Sequence, residues 1–500
     1  MSGHYKPSAY NHLVRHGDSW LVFNGISSAL IALNEASYAQ LSPLLFASEP
    51  CPTEEAPSVK SQTGSRFRPT LNLAPTATFS LDANSNIQKT LEELIAGHFI
   101  VETNHNELEE LETRFVSNKS DDPLLVTLVT TMDCNLDCYY CYEEKYPSGM
   151  STSVCDQVLS YIKDDVVRRN QDRMHLGWFG GEPMLNRAAI EYLTSQLLPF
   201  CDEQGVRCTI SMVSNGTLWP TDPQECRDFV ETNRIGSIQF SFDGLPDHHN
   251  NRRHYKGGNR HHEVSSFEAL RRTVDALRGR VRQYLRINLD DGNKDDAFTL
   301  VEMFNQWGWF EPDSKIYPYL AALGPYTDTC HSVERNAVAH SEFNDMDNEF
   351  RQFMSRYIDI REFAFANYPR ALPLNCSAVA EHSVIFGPDG ELYKCTHDLG
   401  RKHLSHGQLG NSTTTLFPIL QEKVAHTGSP TSPHDYAAYN PFKHENCSKC
   451  RYLPTCLGGC PKVQFEKNEY YLESTCRYWE QSFEPMVRNY AKVISQTSLM

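Results

Sequence analysis

Positive charge is in short supply. Against 63 aspartates and glutamates stand 46 lysines and arginines, a net charge of −17 over 500 residues. That deficit excludes broad nonspecific nucleic-acid binding, which needs a basic footprint, and docking on anionic lipid. Long apolar runs are lacking too: no stretch of about 18 apolar residues occurs, so no membrane span is expected. The opening residues, MSGHYKPSAYNHL, have neither the apolar core nor the cleavage pattern of a secretory signal. The chain is therefore expected in the cytoplasm, with no nucleic-acid and no membrane partner. Its length suggests about three domains of roughly 150 residues. Cysteine is what the sequence has in plenty, with 16 residues. In a reducing compartment these are not readily disulfides, and their spacing points to metal or redox chemistry.

Residues 1–120 read as a small α/β unit. A hairpin is expected from His12–Arg15 and Trp20–Phe23, with Gly17-Asp18 as the turn. Asn34 suits the cap of a helix from Glu35 to about Leu41, ended by Pro43. A Pro/Ser/Thr/Asn-rich stretch near 48–86 reads as a flexible insertion. A helix from Thr90, a strand at Phe99–Val101 and an acidic helix Glu107–Phe115 complete a winged-helix-like pattern. From 121 to 330 strands and helices alternate. Strands are expected at Leu124–Thr130, His175–Phe179, Cys208–Val213, Ser237–Phe242, Tyr284–Leu289 and Lys315–Leu320. Six such repeats imply α/β architecture with a parallel sheet, a partial (β/α)6 barrel with function at the C-terminal strand ends. A helical bridge follows over 331–375. The cysteine-rich remainder, 376–500, lacks apolar periodicity and is expected to draw stability from bound metal.

Cys134, Cys138 and Cys141 follow the first barrel strand. Three thiolates so spaced can wrap one face of an iron–sulfur cube and leave its fourth iron open to a small molecule. Zinc also takes closely spaced thiolates but would prefer a fourth nearby Cys or His, and this loop has none. The CxxxCxxC spacing, with Tyr140 before the third cysteine, resembles the signature of the radical S-adenosylmethionine (SAM) superfamily. The resemblance implies a 4Fe–4S cluster, with SAM chelated through its amino and carboxylate groups and cleaved to a 5′-deoxyadenosyl radical. Further motifs fall in that family's order. Gly180-Gly181-Glu182-Pro183 resembles its GGEP, whose backbone and Glu receive the SAM amino group. Ser214-Asn215-Gly216-Thr217 is similar to its TNGT. Ser241-Phe242-Asp243-Gly244 is similar to its SxDG, making Ser241 and Asp243 ribose-side candidates. Arg253, four residues after His249, suits a carboxylate, and Asn288 ends the fifth strand as a further ligand candidate.

The C-terminal cysteines are Cys376, Cys395, Cys447, Cys450, Cys456, Cys460 and Cys476. Their spacing resembles the SPASM domain of radical SAM enzymes that modify peptides and proteins. The resemblance implies two auxiliary 4Fe–4S clusters, one on Cys447, Cys450, Cys456 and Cys476, the other on Cys376, Cys395 and Cys460. Two closed cubes need eight thiolates and the array offers seven, so either one iron is open or another group, such as Cys330 or His382, fills in. Two structural zinc sites are the alternative. Cys51, Cys155, Cys201, Cys208 and Cys226 read as small buried hydrophobes or incidental thiols.

Together the motifs imply a radical SAM oxidoreductase that matures a ribosomally made precursor peptide, installing a thioether or carbon–carbon crosslink. The partners implied are a precursor with a leader, docked as an added strand on the N-terminal unit, and an electron donor such as a flavodoxin or ferredoxin. Two alternatives stand beside it. One is an anaerobic sulfatase-maturating enzyme; relatives of that kind carry Asp directly after the second SPASM cysteine, where this chain has Thr396, although Asp398 is near. The other is a noncatalytic iron–sulfur or zinc scaffold.

Overall fold

In the computed structural model, strand β1 (Tyr5–Pro7) is followed by β2 (Asn11–His16) and β3 (Ser19–Asn24), which pair antiparallel with His16 opposite Ser19. Gly17-Asp18 is left as the two-residue turn, with Gly17 at φ +58°. The structure describes residues 4–47, 85–121, 123–258, 262–324, 333, 336–359, 368–410, 433–467 and 469–497. Strand β4 (Leu30–Asn34) completes a three-stranded meander. Apolar residues on both faces of this meander are accounted for by cover on both sides. Val14, Leu21 and Phe23 pack against Phe483 and Val487 of the C-terminal helix Glu469–Thr497. Val22 and Leu33 pack against Leu45, Leu91, Leu94, Phe99 and Ile100.

Asn34 caps helix α1 (Glu35–Leu45), its side chain accepting from Ser37 N at 2.8 Å. Pro43 does not end α1. It lies in the last turn, where its missing N–H forfeits one bond and the helix still closes through Phe46 N to Ser42 O at 3.0 Å. Helix α2 (Ser85–Ala96) leads to β5 (Ile100–Glu102), which pairs antiparallel with β1, and then to α3 (Glu107–Asp121). Residues 48–84 of the expected insertion lie outside the described residues. These elements pack as one unit with residues 354–376 and 438–500.

The second unit, residues 121–353 and 377–437, holds the parallel sheet. Its strands are β6 (Leu124–Val129), β7 (Arg173–Phe179), β8 (Arg207–Val213), β9 (Ile235–Phe242), β10 (Arg282–Leu289) and β11 (Ile316–Ala322). All six expected strands are present, side by side in chain order. The crossovers carry α4 (Thr152–Arg169), α5 (Arg187–Gln204), α6 (Pro223–Thr232), α7 (Pro246–Arg252), α8 (Ser266–Leu277) and α9 (Asp296–Gln306). The expected bridge helix is shorter, α10 (His340–Met354), among the described residues.

The cysteine-rich stretch divides differently from the expected 376–500 block. Strand β12 (Ser383–Phe386) joins the sheet in parallel against β6, and β13 (Glu391–Tyr393) and β14 (Gly407–Gln408) extend it antiparallel. An uncovered β6 edge would expose a row of unpaired backbone groups, and β12 fills it. Among the described residues, 377–410 and 433–437 therefore belong with the sheet, while 438–467 and 469–497 pack with the N-terminal elements.

Truncating Phe483 to alanine should cost about 3–5 kcal/mol of local stability, the usual effect of emptying an aromatic core site. Hydrogen exchange is expected to speed up in β2 and β3 and stay unchanged in β6–β11; unchanged protection in β2 and β3 would contradict the packing described.

Candidate active site at the strand ends

The loop after β6 carries Cys134, Cys138 and Cys141. It is held open by an isolated bridge between Leu136 and Tyr255, with Asp137 N donating to His254 O at 2.8 Å and Lys256 N to Asn135 O at 2.9 Å. Cys134 is buried and the other two are half-buried. Burial pushes the Cys134 thiol up to about 11 and Cys141 up to about 12, and it raises Cys138 as well. Lys145 answers them. Burial by itself would lower its pKa, but the charges of Cys141, Cys138 and Cys134 outweigh burial and raise it. Its Nζ donates to Leu136 O at 2.9 Å. Three buried thiols and one ammonium thus act on one another at this loop.

Glu182 lies behind this loop, fully buried. Its Oε1 accepts from Ser214 Oγ at 2.9 Å and Met184 N at 3.1 Å, and its Oε2 accepts from Asn215 N at 2.6 Å. Burial raises its pKa, with these three bonds opposing. Asn215 Nδ2 donates to Cys134 Sγ at 3.6 Å and to Asn135 Oδ1 at 2.8 Å. The motifs after β7 and β8 are therefore joined to the first cysteine. The glycines of Gly180-Gly181 serve a use not read from sequence: a Cβ on Gly181 would sit 2.2 Å from Asp133 O, so the turn approaches the chain's own backbone. Pro183 starts the short 3-10 turn that follows, and its carbonyl accepts from Thr130 Oγ1 at 3.3 Å.

A second cluster gathers at the ends of β9 and β10. Asp243 is fully buried, and its Oδ1 accepts from Asn288 Nδ2 at 3.0 Å. Arg253 donates to Tyr140 Oη, which also receives Asn288 Nδ2 at 3.3 Å. Burial opposes the charge of Arg253, while Cys138, Tyr140 and Asp243 favour it, and its pKa stays well above the ordinary value. His249 is buried, its pKa lowered first by burial and then by Arg253 and Arg252, and its Nδ1 accepts from Asp243 N at 3.3 Å. Gly244, at φ +103°, admits the Asp296 carboxylate, which a Cβ would meet at 2.4 Å. Ser241 is half-buried on β9, with Arg286 as its register partner on β10.

Four buried atoms in this cluster have no hydrogen-bond partner: Asp243 Oδ2, Arg252 Nε, Arg252 Nη2 and Arg253 Nε. Leaving such groups unpaired costs about 1–3 kcal/mol each, more for charged ones. Unspent donors and an acceptor, joined through Tyr140 to the loop that carries the three thiols, fit a polar, zwitterionic ligand and a thiolate-bound cluster.

Residues 128–297 match the Radical SAM superfamily model. The chain carries a radical SAM domain. Among curated proteins it is 24% identical over 159 residues to the radical SAM cyclopropyl synthase TigE of Paramaledivibacter caminithermalis, covering 28% of this chain and 33% of that protein. The chain thus spans about a third of the length of that relative. It is 21% identical over 378 residues to the cysteine-type anaerobic sulfatase-maturating enzyme of Clostridium perfringens, covering 71% of this chain and 94% of that enzyme. Of solved structures, native anSMEcpe with bound AdoMet shares the fold at a TM-score of 0.54 and 16% identity, over 74% of this chain and 100% of that one. The family's cofactors are a 4Fe–4S cluster and SAM.

Around the radical SAM domain the remaining predicted ligands fall in two groups. Cys376, Cys447, Cys450, Cys456, Cys460 and Cys476 belong to the first unit and Cys395 to the second. Burial raises the Cys456 thiol, and the charges of Cys450, Cys447 and Cys476 raise it further. Cys330 and Cys51 lie outside the described residues. His382 is taken up by Arg169, which donates to its ring, and is not a free ligand. Cys155, Cys201 and Cys226 are buried and Cys208 half-buried.

Sequence reading missed Asn135, Tyr139, Lys145, Arg252, Asp290 and Asn293. Arg252 donates to Asp290 Oδ1 at 2.8 Å, Asp290 also receives Tyr139 Oη, and Asn293 Nδ2 holds Asp243 O and Asn288 O at 2.8 Å each. The available signal was position: Asp290 and Asn293 directly follow a strand end, and Arg252 adjoins Arg253.

Gly181→Ala should disable the site, because backbone at 2.2 Å cannot yield as a side-chain tip does. Gly149→Ala, whose Cβ would find its nearest neighbour at 3.6 Å, is the control. After cluster reconstitution the first variant is expected to bind less iron than the parent and the second as much; equal iron in both would contradict the geometry.

Proposed function

We propose that the chain is a radical SAM maturase that abstracts hydrogen from a ribosomally made precursor peptide and installs an oxidative thioether or carbon–carbon crosslink. The observation that carries the radical SAM chemistry is the buried cradle of Asp243, Arg252 and Arg253, with polar atoms unspent, tied to Tyr140 of the loop that bears Cys134, Cys138 and Cys141. In this reading those cysteines hold the cluster and leave one iron open. When bound, the cluster and SAM supply a 5′-deoxyadenosyl radical by reductive C–S cleavage.

The protein's part is positioning and charge. Arg253, always cationic, receives the carboxylate, and Tyr140 and Asn288 fix its direction. Glu182 has one lone pair left on Oε2 for an ammonium, beside the backbone of Gly180, Gly181 and Pro183. Ser214 holds Glu182, and Asn215 steadies the Cys134 sulfur. Ser241 and Asp243 serve the ribose side. Lys145 offsets the negative charge of the thiolates.

Cys447, Cys450, Cys456 and Cys476, all in the first unit and with the charges of the other three acting on Cys456, are the proposed ligands of an auxiliary cluster. Such a centre accepts the electron left when a new bond forms, which favours oxidative crosslinking. The N-terminal unit is assigned the leader. Its meander offers β4 as an edge strand, paired only with β3 among the described residues, and an extended peptide adds to such an edge. A flavodoxin or ferredoxin is the proposed electron donor.

The second reading, sulfatase maturation, is favoured by the extent of the match to the Clostridium perfringens enzyme. Two features speak against it. Thr396 stands where such enzymes carry their aspartate. The nearby Asp398 is fully buried, accepting from Tyr436 Oη at 2.8 Å and facing His434 Nδ1 at 3.4 Å, so it is spent as an anchor.

Anaerobic incubation with SAM and dithionite should yield 5′-deoxyadenosine, and a short peptide encoded beside the gene should lose hydrogen mass. Formylglycine on a sulfatase-derived peptide, with no change in the neighbouring peptide, would decide for the second reading. Cys134→Ala should reduce SAM cleavage below detection while C-terminal iron survives; retained cleavage would refute the assignment. Cys450→Ala should lower the iron content, and an unchanged count would refute the auxiliary site.

A further inference from the structure

Helix α2 ends at Ala96, and Gly97, His98 and Phe99 turn the chain into β5. The turn is tight: His98 N donates to Ile95 O at 2.9 Å and Phe99 N to Leu94 O at 2.8 Å. It places His98 at φ +61°, a left-handed position usually given to glycine or asparagine. Asn24 Nδ2 donates to the His98 carbonyl at 2.8 Å, which pins this backbone. A histidine kept in such a conformation invites a reason in its side chain.

That side chain is aimed at carboxylates without bonding to them. His98 Nε2 is buried and makes no hydrogen bond. It lies 3.6 Å from Glu107 Oε1 and 3.7 Å from Glu110 Oε2. His105, in the loop between β5 and α3, brings its Nε2 to 2.8 Å from the same Glu110 oxygen. Ligand atoms of His98, His105 and Glu110 all lie within 4.8 Å of one another. Glu107 is already committed, accepting from Ser8 Oγ and from Ala9 N. Arg114 approaches the other Glu110 oxygen at 3.8 Å and leaves Oε2 to the histidines.

We propose that His98, His105 and Glu110 bind a divalent cation of the zinc class. Tetrahedral zinc with bonds of about 2.0–2.1 Å holds its ligand atoms about 3.3 Å apart, and the observed pairs at 2.8 and 3.7 Å straddle that spacing. Two imidazoles and a carboxylate are a zinc donor set, with the fourth position left to water. An ion pair alone accounts for His105 and Glu110 but leaves the buried His98 nitrogen unbonded, which native proteins seldom tolerate. The cation ties the turn after α2 to the start of α3 and so fixes the loop 103–106 between them. No cysteine takes part, and the site is independent of the iron–sulfur reading.

The test uses the full chain with its iron–sulfur centres reconstituted, so that the cysteines are occupied. After equilibration with zinc sulfate and desalting, zinc-edge X-ray absorption should give one zinc per chain with only nitrogen and oxygen ligands and imidazole scattering. His98→Asn keeps a residue suited to the left-handed turn, and Glu110→Gln keeps the shape. Each should weaken zinc affinity at least about tenfold in a chelator competition, with iron content and circular dichroism unchanged. Sulfur-only zinc or no zinc in the parent protein overturns the proposal, as does undiminished nitrogen- and oxygen-bound zinc in the variants. Should one variant misfold, the other and His105→Gln decide by the same spectrum.

Discussion

Groups that are negative, or become so on binding metal, are buried together at one end of the parallel sheet, and the rest of the second unit answers that constraint. Three thiols and Glu182 stand at strand ends where burial disfavours charge, and Asp243 is buried at the same end. Each is offset differently. Lys145 faces the three cysteines together. Glu182 receives two backbone N–H groups and a serine hydroxyl. Asp243 is bonded by Asn288 and lies 3.8 and 3.9 Å from the two arginines. Metal binding expels protons from thiols, so the raised thiol pKa values are a cost that the metal–sulfur bonds must offset.

The same constraint explains the loops. Consecutive strand ends supply one component each: cysteines after β6, Glu182 after β7, Ser214 and Asn215 after β8, Asp243 after β9, and Asn288 at the end of β10. Parallel strands in chain order bring these residues to one edge although they span more than 150 positions of sequence. The cross-links between neighbours, from Glu182 to Asn215, Asn215 to Cys134 and Asn288 to Tyr140, then make one network of them.

Much of this was legible because period and punctuation agree. The six strands, the Gly17-Asp18 hairpin and the Asn34 cap follow from local patterns that need no tertiary knowledge. Most of the failures share a cause in long-range packing, and Pro43 is the local exception. Pro43 fails to stop α1 because it falls where only one helical bond is lost. The stretch from 376 reads as one block, yet β12 is drawn to the open edge of β6, a requirement no local pattern records. Arg252, Asp290 and Asn293 escape notice because their partners are set by the fold. At Gly181 the fold adds a reason that sequence does not show, since its small size also admits the neighbouring backbone of Asp133.

The account rests on a cube gripped by Cys134, Cys138 and Cys141 alone, its fourth iron left for SAM. Electron–nuclear double resonance on the reduced protein tests this directly, using SAM labelled with 15N at the amino group and 17O at the carboxylate. Both labels should show hyperfine coupling to the cluster spin in the parent protein. A cluster that forms and reduces normally yet couples to neither label would contradict the account.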